Sequence, residues 1–581
     1  MTTPRRQRIC FGEFEIDSDA SELRRAGSTV KLQRQPLKVL LLLIQRPGDL
    51  LTREQIEHEI WGDQVHVDFT GGLNFCIKQI RVALQDDAGR PRYIETLPKQ
   101  GYRFIAKVER QNYRARSDER IMLAVLPFGN LTGQKDQEYF SDGMTEELIA
   151  QLSRLHPKKL GIIAFTSARQ YKDTSKSIDQ IGRELGVSYI LEGSVRRAGD
   201  RVRIAAQLVE VSDQSHLWAE AYNRTLDDII TIQTDVAQSV AQSLMLELLP
   251  DHRAEMERAS TGDPMAYEAY LKGRFYWNKR TREGFLKALK YFHTAIELAP
   301  RYAPGYVGIA DVYKLAALYG GLPPMEALNK SRDAVAKALQ LDSRFAEAHT
   351  SLAYGKFLHE WDFAGAEKSF RHALDLNPNH GTGHYWYALF LAAMRRFDEA
   401  LAQIELAMVL DPLSLVVKCN KAQVLYFARR YDEAAAQLLD CIEMDGEFPL
   451  ARFILGMVYL QTSQFADAAQ QFEKARKSTS GHPAATAGLA AALAHSKKKA
   501  DGKKLLLELE KLAEKSEGIR YYLAVAWLAF GDTSRALRCL EKACDERSVS
   551  IPNIGIDPAL DSIRTNPGFK KVLNRAGLNS R

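Results

Sequence analysis

"YIETLPKQGYRF", Tyr93 to Phe104, places aliphatic and aromatic residues on both sides of "LPKQG". Two short alternating runs about a turn that carries Pro and Gly predict a β-hairpin, with Lys99 and Arg103 beside its tip. Just upstream, Leu73, Ile77, Ile80 and Leu84 fall on one face of a helix, and the 3.6-residue period turns Phe75, Lys78, Gln79 and Val82 outward, flanked by Asn74 and Arg81. A face that mixes cations, amides and a ring suits the DNA major groove, where such side chains bond base edges and phosphates. Charge agrees locally: Thr70–Arg110 holds eight Lys/Arg against four Asp/Glu.

Two more helices precede this one. Leu37, Leu40, Leu41 and Ile44 form an i, i+3, i+4, i+7 stripe behind Pro36, which a first turn tolerates. Thr52 and Gln55 make a capping box for a helix that runs to Trp61, with Ile56 and Ile60 inward. "FGEFEID" and "TVKLQ" read as short strands ahead of them. A solvated face looks like the third helix too, but a helix–turn–helix followed at once by a hairpin with a basic tip is a winged helix.

The 581 residues predict several domains, and a net charge of +6 is too small to mark the whole chain as a nucleic-acid binder. Six cysteines (Cys10, Cys76, Cys419, Cys441, Cys539, Cys544) fit neither a disulfide framework nor paired zinc-ligand spacing. "MTTPRRQRIC" lacks the apolar core of a signal peptide, and the longest aliphatic run, "VLLLLI", is far too short to span a bilayer. The expectation is a cytoplasmic protein with no membrane contact, no cofactor and no metal.

Polar "RQNYRARSDER", Arg110–Arg120, and "PDHRAEMERASTGDP", Pro250–Pro264, divide the chain. The expected domains are 1–110, 120–249 and 262–581. The middle one opens on the buried strand "IMLAVLPF", alternates helical with apolar stretches, folds "SVRRAGDRVRIAAQLVEV" about an Ala-Gly-Asp turn and closes with a helix over Asp227–Leu248. Farther on, small residues recur at Ala366, Ala400, Ala434, Ala468, Gly502 and Ala536, a step of 34 (400−366, 434−400). A second series, Ala373, Ala407, Cys441, Ala475, Leu509 and Ala543, keeps that step, and "LNP" at Pro378 returns as "LDP" at Pro412. Thirty-four residues is the tetratricopeptide period.

The fold class expected is therefore multidomain: an α+β winged helix, an α/β domain, and an all-α superhelix. Over about Ala266–Asp545 the chain resembles the tetratricopeptide family, whose concave face usually takes a protein or peptide. "LQRQPLKVLLLLIQRPGDLLTREQIEHEIWG", "VDFTGGLNFCIKQIRVALQDD" and "PRYIETLPKQGYRF" resemble the winged-helix effector domain of the OmpR/PhoB class, in the branch of CadC-, ToxR- and HilA-like regulators, over about Ile9–Val108. The middle region, Arg120–Leu249, resembles the TolB-amino-terminal-like domain.

The OmpR/PhoB resemblance implies a transcriptional regulator that binds double-stranded promoter DNA. It gives groove or phosphate roles to Asn74, Phe75, Lys78, Gln79 and Arg81, and backbone roles to Thr96, Lys99 and Arg103. It assigns "GDQVHVDF" (Gly62, Asp63, Gln64, Val65, His66, Val67, Asp68, Phe69) to the loop that can face RNA polymerase, and it allows a homodimer on DNA. The wing position often held by Arg is Pro98 here, so this wing is expected to hold backbone more than read bases. Trp61, Tyr102 and Phe104 are expected in the core. The winged helix starts near Ile9, leaving no room for a receiver before it, so the input is expected C-terminal.

No enzyme is expected. Asp142, Glu146 and Glu147 lie in a helix start where acids complement the dipole, His216 beside Trp218 has no nucleophile partner, and "GNLTG" lacks the P-loop Lys. Cys539 and Cys544 are expected as inert buried thiols. The alternative function is an interaction scaffold whose winged helix binds protein instead of DNA.

Overall fold

The computed structural model of the chain describes residues 7–12, 14–17, 22–25, 28–30, 32, 34–61, 69–98, 100–112, 120–132, 138–155, 157, 159–199, 201–225, 232, 235–237, 239–240, 243–244, 263–278, 282–318, 324–479 and 481–578. They fall in two compact units, Met1–Glu119 and Arg120–Arg581.

In the first unit, β1 (Gln7–Phe11), β2 (Phe14–Asp17), β3 (Glu22–Arg25), β4 (Ser28–Val30) and β8 (Val108–Asn112) make an antiparallel sheet of order β4-β3-β2-β1-β8. "FGEFEID", expected as one strand, is the corner of the β1–β2 hairpin, because the chain reverses at Gly12 with φ 57°. A side chain there would strike the Tyr93 hydroxyl at 2.7 Å, so glycine serves both the turn and the packing. Strand β8 pairs with β1 as far as Asn112, so Arg110, Gln111 and Asn112 belong to the sheet and not to the exposed linker expected from Arg110.

Helices α1 (Arg34–Gln45), α2 (Arg53–Trp61) and α3 (Phe69–Leu84) pack on a second sheet of order β5-β7-β6, made by β5 (Leu50–Thr52), β6 (Ile94–Leu97) and β7 (Gly101–Phe104). Of the expected α1 stripe, Leu37, Leu40 and Ile44 are buried and Leu41 is half-buried. Val39, Leu42 and Leu43 are buried as well, since α1 touches α2, α3 and β7. Phe11, Phe14, Tyr93 and Phe104 meet at ring distances from 5.2 to 5.9 Å and join the two sheets.

The second unit opens on a sheet of order β11-β9-β12-β13-β14, with the short β10 (Gly129–Asn130) beside β12. Strand β9 (Ile121–Val125) lies parallel to β11 (Leu160–Ile162) and β12 (Tyr189–Ala198). Strands β12 and β13 (Arg201–Glu210) form the expected hairpin about Gly199, and β14 (His216–Thr225), an added edge strand, extends it. Helices α4 (Glu138–Leu155), α5 (Phe165–Ala168) and α6 (Ile178–Leu185) cover this sheet. Most of the helix expected over Asp227–Leu248 lies outside the described residues; its Ile232, Val236, Val240 and Leu244 are buried in the core.

From Pro264 to Asp545 the described residues form eight helix pairs, followed by a last helix at Pro567–Arg575. The small residues of both 34-residue series lie at the helix contacts: Ala366, Ala400, Ala434, Ala468 and Ala536 are wholly buried, and so is Cys441. Gly502 has no room for more, since a side chain would meet the Ala490 carbonyl and Leu493 at 2.9 Å. The backbone keeps the same period, with left-handed residues closing the helix turns at Trp361, Arg395, Arg429 and Ser463, and again two steps on at Gly531.

The expected division between 120–249 and 262–581 does not separate two bodies. Residues 250–262 lie outside the described set, and beyond them Tyr267 and Leu271 of the first repeat helix enter the α/β core. Farther along, Asn379 donates to the carbonyls of Ser153 (3.1 Å) and Leu160 (2.8 Å), and the Ser167 hydroxyl donates to Asp411 at 2.6 Å. Arg154 pairs with Glu347 at 3.2 Å, and Arg274 pairs with Glu146. The α/β layer thus lies along the turns that lead into successive repeat helices.

At the other end, Asp557 is fully enclosed and accepts bonds from the hydroxyls of Tyr426 (3.2 Å) and Tyr521. Arg395 and Arg429, both at left-handed turns, hold the carbonyls of Gly555 and Ile556. The chain after the last pair is thereby tied back onto repeats far upstream.

Burial pushes the Asp411 carboxyl up to about 6, against the hydrogen bonds from Ser167 and Ser414. Its folded value lies above the unfolded one, so the stability it contributes is full below about pH 4 and is lost as pH rises through about 6. Asp411→Asn should therefore stabilise the fold at pH 7.5 by an amount on the order of 2 kcal/mol, seen as a higher thermal midpoint, and do so much less at pH 4. Thermal unfolding of both proteins at the two pH values is the check.

Candidate nucleic-acid interface

Helix α2 begins on the expected capping box: the Gln55 amide N–H donates to the Thr52 hydroxyl (3.2 Å), and the Thr52 N–H donates to the Gln55 side chain (2.9 Å). Residues Gly62–Asp68, the expected polymerase-facing loop, lie outside the described residues, and Phe69 is the first residue of α3. On α3 the inward set is as expected, with Leu73, Ile77, Ile80 and Leu84 all buried. Outward, Phe75 is 48% and Val82 67% exposed, Lys78 is exposed, and Gln79 is half-buried.

The turn into the wing rests on a residue that the sequence reading missed. Asp86, only 8% exposed, follows the left-handed Gln85 at the end of α3. Its carboxylate accepts the backbone N–H groups of Arg92 (2.6 Å), Tyr93 (3.2 Å) and Ile94 (2.9 Å). The signal available was the pair Asp86-Asp87 at a helix end, where the dipole disfavours acids and a specific partner has to compensate. Strand β6 then runs to Leu97, and β7 returns from Gly101, where a side chain would lie 2.0 Å from the Leu51 carbonyl. Glycine here lets β5 come close enough to pair.

Several of the expected DNA-contacting residues are engaged inside the domain. Asn74 Oδ1 accepts from Arg53 Nη1 (3.2 Å) and from the Tyr102 hydroxyl (3.1 Å), and Arg53 Nη2 donates to that hydroxyl at 3.1 Å. Arg81 Nη2 donates to the Ile94 carbonyl (2.9 Å) and the Thr96 hydroxyl (2.8 Å). Arg103 pairs with Glu95, its cross-strand neighbour, at 3.4 Å. Lys99 lies outside the described residues. Tyr102 and Phe104 are in the core as expected; the Trp61 side chain lies outside the described set. Between α3 and the wing a cleft of ≈ 650 Å³ is lined by Arg53, Asn74, Lys78, Arg81, Thr96 and Tyr102.

The acidic residues singled out in the α/β domain have structural partners. Asp142 is buried and bonded to Lys172 at 2.8 Å, and Glu146 is held by Arg274. His216 is exposed at the start of β14. Among the described residues no cluster of His, Cys, Asp and Glu has metal-ligating geometry, and no helix is long and apolar enough to cross a membrane.

Residues 27–104 match the family described as transcriptional regulatory protein, C terminal. Residues 119–240 match the second domain of HilA/YgeH-like transcriptional regulators, and 362–414, 419–483 and 457–517 match the tetratricopeptide repeat. The chain thus carries an OmpR/PhoB-type winged helix, a HilA/YgeH-like second domain and tetratricopeptide repeats; the TolB-amino-terminal-like resemblance of the middle domain remains an expectation of its sequence.

Transcriptional regulator HilA of Salmonella typhimurium is 25% identical over 434 residues, 74% of this chain and 75% of that one. Putative adenylate cyclase 3 of Rhizobium meliloti is 33% identical over 287 residues, 48% of this chain and 41% of that one, so the match spans less than half of that relative. Among solved structures, the RstA DNA-binding domain of Klebsiella pneumoniae in complex with RstA box is 27% identical, with a TM-score of 0.15, over 17% of this chain and 96% of that one.

Replacing Asp86 by Ala strands three backbone N–H groups, two of them on buried residues, and should cost about 3 kcal/mol. Chemical denaturation should show a separate, earlier loss of the first unit, with the unit from Arg120 onward unchanged.

Proposed function

We propose that the chain is a DNA-binding transcriptional regulator whose α3 enters the major groove and whose wing lies along the adjacent backbone. The observation that carries this reading is the outward face of α3, where Phe75, Lys78, Gln79 and Val82 stand free of the core on a rigid helix beside a wing. Lys78 supplies a phosphate or guanine contact, Gln79 an amide for an adenine edge, and Phe75 and Val82 apolar surface for thymine methyl groups. The match of residues 27–104 to the regulator effector domain, and the similarity to HilA over three quarters of both chains, support it.

In this reading residues 1–112 are the output module, Gly62–Phe69 is the polymerase-facing loop, and the protein works in the cytoplasm, as a homodimer on DNA. The α/β domain and repeats act together as the input for a protein partner. The ion pairs that hold Asp142 and Glu146 favour a binding role for this region over an enzymatic one.

The full chain should bind duplex DNA with an affinity that falls steeply with salt. Lys78→Ala should weaken binding roughly tenfold and reduce the slope of log K against log salt by about 1. Fluorescence anisotropy across a salt series reads both; salt-independent binding, or none, would refute the DNA-binding assignment.

A further inference from the structure

The α3 residues that border the cleft differ in how they are bonded. Arg81 lies on the wall. Its Nη2 bonds two wing atoms, the Ile94 carbonyl and the Thr96 hydroxyl, and its Nε is buried without a hydrogen-bond partner, so the guanidinium is turned into the domain. About two turns before it, Asn74 is the common acceptor for Arg53 on α2 and Tyr102 on β7. The Arg53 guanidinium also lies 5.3 Å from the centre of the Tyr102 ring. Two bridges thus run from α3 to the wing, and together they engage Asn74 Oδ1, Arg81 Nη2 and the Thr96 hydroxyl.

The two N–H groups of Nη2, each with a fixed acceptor, constrain direction as well as distance. Strand β6 is the outer strand of a three-stranded sheet, held on one side only by β7. Its angle to α3 is set by what reaches it from the helix: Asp86 at its start and Arg81 at its middle.

We infer that Arg81 and Asn74 are positioning residues, which fix the wing at the angle where it and α3 meet one DNA duplex together, and that neither makes a phosphate or base contact of its own. This rests on the DNA-binding reading, and it confines the groove-facing chemistry of α3 to Phe75, Lys78, Gln79 and Val82. A phosphate contact contributes to counterion release and to the salt slope; a positioning residue lowers affinity and leaves the slope in place.

The test uses the full chain, a duplex recovered from genomic fragments that it binds, and a mixed-sequence duplex. Arg81→Ala should weaken binding to the recovered duplex about tenfold with the salt slope unchanged, whereas Lys78→Ala lowers the slope by about 1. Thr96→Val, which removes the hydroxyl that accepts from Arg81, should act in the same direction, and the double variant should be no weaker than Arg81→Ala alone.

A slope that falls by about 1 in Arg81→Ala would overturn the inference. Amide hydrogen exchange of the protein without DNA gives the second measurement: Ile94–Phe104 should exchange faster in Arg81→Ala while α1 keeps its protection, and unchanged wing exchange would also overturn it. If the wild-type chain shows no salt-sensitive DNA binding, the functional reading fails, and the exchange result still decides whether Arg81 holds the wing.

Discussion

Three backbone N–H groups in a row, those of Arg92, Tyr93 and Ile94, end on the one buried carboxylate of Asp86. Arg92 and Tyr93 precede the sheet and Ile94 opens its outer strand β6, so these three N–H groups are left to Asp86. A buried N–H without an acceptor is costly, and a carboxylate that takes several at once is a strong local organiser. With that segment fixed, Tyr93 reaches the aromatic cluster between the two sheets, β6 starts in register, and Arg81 meets Thr96 across the cleft. The orientation of the wing, and with it the proposed DNA surface, follows from this connection.

The second unit solves a related problem on a larger scale. A repeat array contacts only its neighbours and leaves both ends and its turns open. Here the turns that lead into several repeat helices are covered by the α/β layer, through Asn379, Asp411 and Glu347. The far end is tied back by Asp557 and by Arg395 and Arg429. The array is therefore joined to its flanking segments by polar groups with defined partners.

Much of the interface was legible in the sequence because helix periodicity is local. Leu73, Ile77, Ile80 and Leu84 point inward for the same reason that Phe75 and Val82 point outward. The capping box of Thr52 and Gln55 is equally local, as is the 34-residue recurrence of small side chains. Which polar residues of α3 remain free was not legible. Asn74 and Arg81 have the composition of DNA-contacting residues, yet their partners are 15 to 28 positions away, at Thr96 and Tyr102. Arg53 has the sequence of an ordinary first-turn residue, and the partners of Asp86, at Arg92 to Ile94, are set only by the turn into the wing. Strand β14 was missed because almost every residue on it is exposed and no apolar alternation survives at a sheet edge.

By itself the sequence determined what short-range periodicity can encode: three helices and a hairpin at the start, a buried strand and helices in the middle, and a helix pair every 34 residues to the end. It also determined which side chains are apolar enough to leave water, and so which face of α3 is core. Only the tertiary structure decided how polar groups are shared among elements. It joined the middle domain and the repeats into one unit, carried the first sheet on to Asn112, and turned Arg81 toward the wing. Those outcomes depend on hydrogen bonds between residues far apart in the chain, whose formation requires the fold to have brought donor and acceptor together already.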